Sequence, residues 1–286
     1  MATNCLIKKL PVSFDDPSLV EVGELVFPVK SITDFGENNS KFRFWSANEE
    51  ITISTDGDGY FALSYAGLSD PASRLTSYDV PASSGGIGLG LYLKNGDYNI
   101  HVKSKYVLTD ILLSGNSAYK NPLNIVLRNL IYVPDLVSIV VPDAYGTLED
   151  LKSATALQVL RIKTPSGADS HIYGKLSDLA DLSELHEFVI NRCINITGEL
   201  SQLGSLVNLT SITVMYESGY ESLISGTIES FVAAQRLAGR TTESGISCLF
   251  NHTNITFNGS LVSSSSQRTL SWTATTITYN GVTIEA

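Results

Sequence analysis

The sequence predicts a mostly β chain with some helix: an N-terminal β domain, then a short irregular solenoid of repeats, then a β cap at the C-terminal end. Three observations carry this reading. Residues 1 to about 100 hold short aromatic and β-branched runs separated by Gly-, Asp- and Asn-rich turns. From about residue 105 one apolar spacing recurs in register. The tail repeats a short phrase that ends in Asn-Gly. The boundaries are 1–104 for the first domain, with a docking segment at 1–30, then 105–250 for the repeats and 251–286 for the cap.

In the first domain, Phe42-Arg43-Phe44-Trp45 and Ile51-Thr52-Ile53-Ser54 read as strands. Asp56-Gly57-Asp58-Gly59 then turns the chain into Tyr60-Phe61-Ala62-Leu63-Ser64-Tyr65, which predicts a hairpin. A Ser-, Pro- and Gly-rich loop is expected from Pro81 to Gly90. A second hairpin is expected where Lys94-Asn95-Gly96-Asp97 separates Tyr92-Leu93 from Tyr98–Val102.

In the repeats, Gly146-x-Leu148-x-x-Leu151 recurs as Gly174-x-Leu176-x-x-Leu179, as Gly198-x-Leu200-x-x-Leu203 and as Gly226-x-Ile228-x-x-Phe231. The first three are followed at identical offsets by Leu157, Leu160, Ile162, then Leu185, Phe188, Ile190, then Leu209, Ile212, Val214. The same spacing stands upstream at Leu136, Ile139, Val141 and more faintly at Leu108, Ile111, Leu113. Leucine at every third position would also suit a helix bundle. The closing step of two decides for strands: it puts both residues on one strand face but ~200° apart on a helix. Intervals between strand ends are 28, 21, 28 and 24 residues. Each Gly permits a tight turn into the connecting segment. After Gly226, Ile228–Ala238 reads as a helix stopped at Gly239, and Ile246–Phe250 as a last strand. Ile255–Gly259 and Ile277–Gly281 then predict tight turns between cap strands.

These segments resemble leucine-rich repeats of the form LxxLxLxxN/CxL, over about residues 105 to 250. Cys193 and Asn116 fall on the N/C position, while Ala144, Pro165 and Glu217 occupy it elsewhere. The resemblance therefore implies irregular stacking without a continuous asparagine ladder.

Composition narrows the function. The chain has 286 residues, 43% hydrophobic and 17% charged, so it can bury a core. A net charge of -10, spread along the chain, argues against nucleic acid, which needs clustered Lys and Arg. The single basic pair Lys8-Lys9 does not change this. No window approaches the ~18 apolar residues of a membrane span, and the opening MATNCLIKKLPVSF does not read as a secretory signal. Cys5, Cys193 and Cys248 match no zinc or CxxC spacing. They read as free thiols of a reducing compartment, with a Cys193–Cys248 disulfide as the alternative. Six Asn-x-Ser/Thr sequons then have no secretory route to be used.

No catalytic, cofactor or metal constellation is expected. Asp56-Gly57-Asp58-Gly59 lacks the third acid and the closing Glu of a calcium loop. His101, His171, His186 and His252 share no ligand spacing. Gly86-x-Gly88-x-Gly90 opens no helix and so is no nucleotide loop. Binding is the better expectation. Residues alternating with the buried ones face outward on the repeat strands. Arg161, Lys163, Glu187, Asn191, Thr213, Met215 and the adjoining Tyr216 are the expected partner-binding set, a plain solvated face being the alternative.

Thr3-Asn4-Cys5-Leu6-Ile7-Lys8-Lys9-Leu10 resembles the start of virion proteins of crAss-like and related Bacteroidetes bacteriophages. The phrase Gly226-Thr-Ile-Glu-Ser-Phe-Val-Ala-Ala-Gln-Arg-Leu-Ala-Gly-Arg-Thr241 resembles one common in repeat proteins of the same hosts and phages. The two stretches cover about a tenth of the chain. The resemblance implies a non-enzymatic virion structural protein, a head fibre or tail-associated component assembled in the host cytoplasm. It would contact other virion proteins, attach to a host-surface glycan or protein, and form an oligomer. The alternative is a bacterial leucine-rich-repeat interaction or adhesin module.

Overall fold

The structure, a computed structural model, describes residues 24–29, 40–46, 51–57, 61–64, 75, 77–80, 87–93, 98–104, 108–114, 125–142, 144–164, 170–220 and 222–286. The chain is mostly β, with parallel strand ladders, short 3₁₀ segments and one α-helix among the described residues.

The first strands are β1 (Glu24–Val29), β2 (Ser40–Ser46), β3 (Ile51–Thr55), β4 (Phe61–Ser64), β5 (Ser77–Val80), β6 (Ile87–Leu93), β7 (Tyr98–Ser104) and β8 (Leu108–Ser114). They form two antiparallel arrays, in the order β1-β7-β3-β5 and β4-β6-β2-β8. Ile53, Ile100 and Val102 of the first array share one buried cluster with Ile111 of the second. Of the expected docking segment at 1–30, only Glu24–Val29 lies within the described residues. Asp58-Gly59, Asn116 and Pro165 also lie outside them.

Both hairpins expected here are overturned. β3 is flanked by β5 and β7, so it has no free edge for β4, which pairs with β6 instead. Likewise β7 is flanked by β1 and β3, while β6 is flanked by β2 and β4. Each Gly- and Asp-rich connection therefore carries the chain from one array to the other. A permissive four-residue connection fixes no register, unlike a two-residue turn, so distant strands decide the pairing. The expected loop through Gly90 is also shorter, because Ile87–Gly90 already belongs to β6.

The strands that follow alternate between two parallel ladders. They are β9 (Ile125–Val126), β10 (Ser138–Val141), β11 (Ala144–Thr147), β12 (Val159–Lys163), β13 (Ile172–Lys175), β14 (Glu187–Asn191), β15 (Asn195–Glu199), β16 (Ser211–Met215), β17 (Ile224–Thr227), β18 (Glu243–Asn251) and β19 (Asn254–Phe257), with α1 (Ile228–Leu237) between β17 and β18. One ladder runs β8-β10-β12-β14-β16-β18, the other β9-β11-β13-β15-β17-β19. Because β8 pairs antiparallel with β2 and parallel with β10, the larger sheet is continuous across residue 104.

Successive turns bury their apolar faces on one another. Ile139, Leu160, Phe188, Ile212 and Cys248 form one inward row, and Val141, Ile162, Ile190, Val214 and Phe250 the next. All ten are buried. The 3₁₀ segments Leu148–Ser153, Leu176–Leu179 and Leu200–Leu203 bury both of their leucines, and α1 in the last turn buries Ile228 and Phe231 instead. Full burial of a leucine contributes about 1.5–3 kcal/mol, so these rows are the main stabilising term.

The recurring Gly has a second role beyond its turn. Gly174 has φ +133°, and a Cβ there would lie 3.0 Å from Leu148 N in the preceding turn. Gly198 has φ +129°, and its Cβ would lie 3.3 Å from Leu176 N. Each glycine thus lets one turn approach the backbone of the turn before it. The residue four after each Gly closes the segment locally. Asp150 Oδ2 accepts from Thr147 N at 2.8 Å, Asp178 Oδ2 from Lys175 N at 2.8 Å, and Gln202 Oε1 from Glu199 N at 3.1 Å. These bonds occupy backbone donors that a short helical segment leaves unpaired.

The C-terminal strands are β20 (Ser260–Leu261), β21 (Arg268–Trp272), β22 (Thr276–Tyr279) and β23 (Val282–Glu285). β21 pairs antiparallel with β18, so the antiparallel strands β21, β22 and β23 continue the larger sheet. The Asn258-Gly259 and Asn280-Gly281 turns have positive φ at both residues, as two-residue hairpin turns require.

Candidate functional site

Side chains on the outward face of β10, β12, β14, β16 and β18 form three rows by strand alternation. The registers align Ser138, Val159, Glu187, Ser211 and Ser247, then Val140, Arg161, Val189, Thr213 and Leu249. The third row is Lys163, Asn191, Met215 and Asn251. Parallel in-register pairing therefore brings six of the seven expected residues, Tyr216 excepted, onto one surface.

Arg161 and Glu187 are joined across neighbouring strands. Arg161 Nε donates to Glu187 Oε1 at 2.7 Å and an Nη to Oε2 at 2.5 Å, a bidentate fork. Both remain partly exposed, so the pair orients a surface more than it stabilises the fold. Lys163 is exposed, while Asn191 and Met215 are half-buried. Thr213 is buried within the face, next to the equally buried Val189, and offers a partner little surface.

Tyr216 is a correction. It is 3% exposed, and its hydroxyl donates to Cys193 O at 3.3 Å. Burial raises its phenol well above the ordinary tyrosine value. The alternation of β16 runs one residue further: Thr213 and Met215 face out, so Tyr216 faces in. Its N–H continues the ladder to Asn251 O at 3.0 Å. Tyr216 thus packs under Cys193 and takes no part in the outward face.

Leu249 and Asn251 were missed by sequence reasoning and extend this surface by one strand. The signal was available in the alternation of Ile246, Cys248 and Phe250. Arg192 and Glu217 were also missed. Their ion pair links the ends of β14 and β16, and Arg192 also donates to Thr164 O at 3.1 Å. No spacing rule pairs a residue after one strand with a residue after the next, so nothing in the sequence announced that contact.

Cys193 and Cys248 are buried thiols, not joined in a disulfide. The Cys193 thiol points at Asn191 O, 3.6 Å away, as the N/C position of its turn implies. Burial pushes the Cys248 thiol up to about 12. Among the described residues, no group of three or more His, Cys, Asp and Glu could hold a metal ion. No helix among them is long and apolar enough to cross a membrane.

No family model matches the chain, and no curated protein matches it in sequence. Among solved structures, it is similar to the crystal structure of the LRR ectodomain of the receptor kinase SOBIR1 from Arabidopsis thaliana, at 19% identity and a TM-score of 0.29. The match covers 43% of this chain and 65% of that one, so the chain spans just under two thirds of that ectodomain.

Proposed function

We propose that the protein is a non-catalytic recognition and scaffolding protein, built around an irregular leucine-rich-repeat-like solenoid that presents β10–β18 as a binding surface. One observation carries the reading. Five parallel strands hold mixed polar and apolar side chains in register on a single outward face, with Arg161 and Glu187 fixed by their own fork. Such a surface recognises a protein through shape and hydrogen bonds, and needs no cofactor or titrating group to do so.

The setting we propose is a phage virion, as an external head-fibre or tail-associated component that binds other virion proteins. Support comes from the resemblance of residues 3–10 and 226–241 to virion and repeat proteins of Bacteroidetes phages. Mass spectrometry of purified particles tests this directly: the protein should be present at a fixed copy number, and its absence would end the virion reading. A photo-crosslinker placed at Lys163 or Asn191 tests the surface. Crosslinks should go to one virion protein, and crosslinks arising only from the β23 side would move the interface elsewhere.

A further inference from the structure

The C-terminal cap contains a cavity of about 380 Å³ between its two Asn-Gly turns. Asn258 and Asn280, on the β19–β20 and β22–β23 connections, both line it. Leu261 and Val282 also line it, 67% and 51% exposed. Arg268 and Tyr279 supply its charged and phenolic groups.

Three features mark this cavity as a place for a ligand. No Asp or Glu lines it, although the chain holds 29 acidic residues. Glu229 reaches the same turn, but its Oε1 accepts from Asn258 N at 2.6 Å and it does not line the cavity. The Arg268 guanidinium has no hydrogen bond or ion pair among the described residues, unlike those of Arg161, Arg192, Arg236 and Arg240. The Tyr279 hydroxyl likewise has no hydrogen-bond partner among them. Its ring is fixed edge-on to Phe257, with centroids 5.6 Å apart. A fixed phenol and a half-exposed guanidinium that no protein group engages therefore share one cavity.

The geometry points to a binding site for a carboxylate-bearing sugar, such as a hexuronic acid, in this cavity. Arg268 holds the carboxylate, because a guanidinium matches two carboxylate oxygens with parallel N–H donors. The hydroxyl of Tyr279 and the amides of Asn258 and Asn280 meet the sugar hydroxyls. The apolar C–H face of the ring lies against Leu261 and Val282. The volume falls at the lower end of ligand pockets, which suits a single ring. One arginine without a second cation suits a monovalent carboxylate better than a phosphate. The site adjoins the last strand of the β10–β18 face, where Ser263 of its lining donates to Asn251 Oδ1 at 3.1 Å, and the inference does not depend on the virion setting.

Calorimetric titration of the full chain with D-glucuronate, its methyl ester, D-glucose and inorganic phosphate tests the assignment. Glucuronate should bind. The ester and glucose, which lack the charge, should bind at least about tenfold more weakly, as loss of a charge-assisted bond implies. Arg268→Gln should cause a similar loss and Arg268→Lys a smaller one, since lysine keeps the charge without the fork. Tyr279→Phe should weaken binding about threefold. Lys152→Gln, at an exposed residue of the 148–153 segment outside both surfaces, should change nothing. The ligand series needs no variant, so it stands even if a substitution in the cap impairs folding. Equal binding of glucuronate and its ester, or no binding of glucuronate, overturns the inference. Tighter binding of phosphate than of glucuronate overturns the sugar assignment.

Discussion

Gln235 donates its side-chain amide to Gly204 O at 3.0 Å, from a helix position that is fully buried. The same nitrogen also reaches Leu203 O at 3.3 Å and Leu206 O at 3.1 Å, and Oε1 accepts from Arg240 at 3.3 Å. One side chain thus satisfies the open end of the 200–203 segment from the helix of the next turn. One residue on, Arg236 donates to Thr273 O at 2.7 Å, and Arg240 donates to Leu209 O at 2.7 Å while its guanidinium lies 5.4 Å from the Trp272 ring centre. The run from Gly226 to Thr241 therefore joins the last turn of the stack to the antiparallel cap.

Gln235→Ala should destabilise the protein by about 2–4 kcal/mol, because buried carbonyls lose their donor and a small void remains. Gln235→Glu should cost more, since it places a carboxylate against carbonyl oxygens in a buried site. Urea denaturation of the full chain gives both values. A loss below about 1 kcal/mol for either would mean the carbonyls find water instead.

Gly198→Ala and Gly219→Ala make a matched pair for the stacking role of glycine. Both positions have positive φ, +129° and +96°, so both substitutions carry backbone strain. At Gly198 a Cβ would also meet Gln202 Oε1 at 2.2 Å and Leu176 N at 3.3 Å, whereas nothing lies within 4 Å of one at Gly219. Gly198→Ala should cost about 2–3 kcal/mol and Gly219→Ala about 1 kcal/mol. Equal losses would show that conformation alone, and not close approach between turns, selects glycine.

This contrast also explains what was legible in the sequence. The inward rows were readable because each turn repeats the same apolar step, and a step of two has one meaning on a strand. The glycine was readable as a turn, but its approach to Leu148 N or Leu176 N was not, because the partner lies one whole turn away. The Gln235, Arg236 and Arg240 contacts were invisible for the same reason: they go to backbone carbonyls, which carry no sequence signature. The outward face followed from alternation, and Tyr216 was misplaced where alternation was stopped one residue early. The two N-terminal hairpins failed because neighbouring runs were assumed to pair, while β5 and β7 occupy both edges of β3.

Cys193 and Cys248 should resist thiol reagents in the folded protein at pH 8. Both side chains are buried, and burial raises the Cys248 thiol to about 12, so almost no thiolate exists there to react. On a Cys5→Ser background, 5,5′-dithiobis-(2-nitrobenzoate) should titrate no thiol in the native state and two in guanidinium. Fast native labelling of either would place that turn of the stack among locally opening segments.

Glu243 should set part of the acid sensitivity of the cap. Burial alone would raise its carboxyl, but the N–H of Gly245 and the Arg240 guanidinium outweigh that and hold it below the ordinary value of 4.5. A group whose pKa is lower folded than unfolded contributes stability above its unfolded value. That contribution is lost as pH falls through the folded value. Glu243→Gln should therefore be less stable than the wild type at pH 7, by roughly 1–3 kcal/mol for a lost charge-assisted pair. The gap should narrow as pH drops below about 4.5, where the unfolded carboxyl protonates first. Denaturation midpoints of the two proteins between pH 7 and pH 3 measure this. Because Arg240 keeps Leu209 O, Gln235 and Trp272 as partners in the variant, the glutamine form should remain folded enough to compare. A gap independent of pH would mean that the loss comes from the amide group turned toward Arg240, and that titration of the carboxyl contributes nothing.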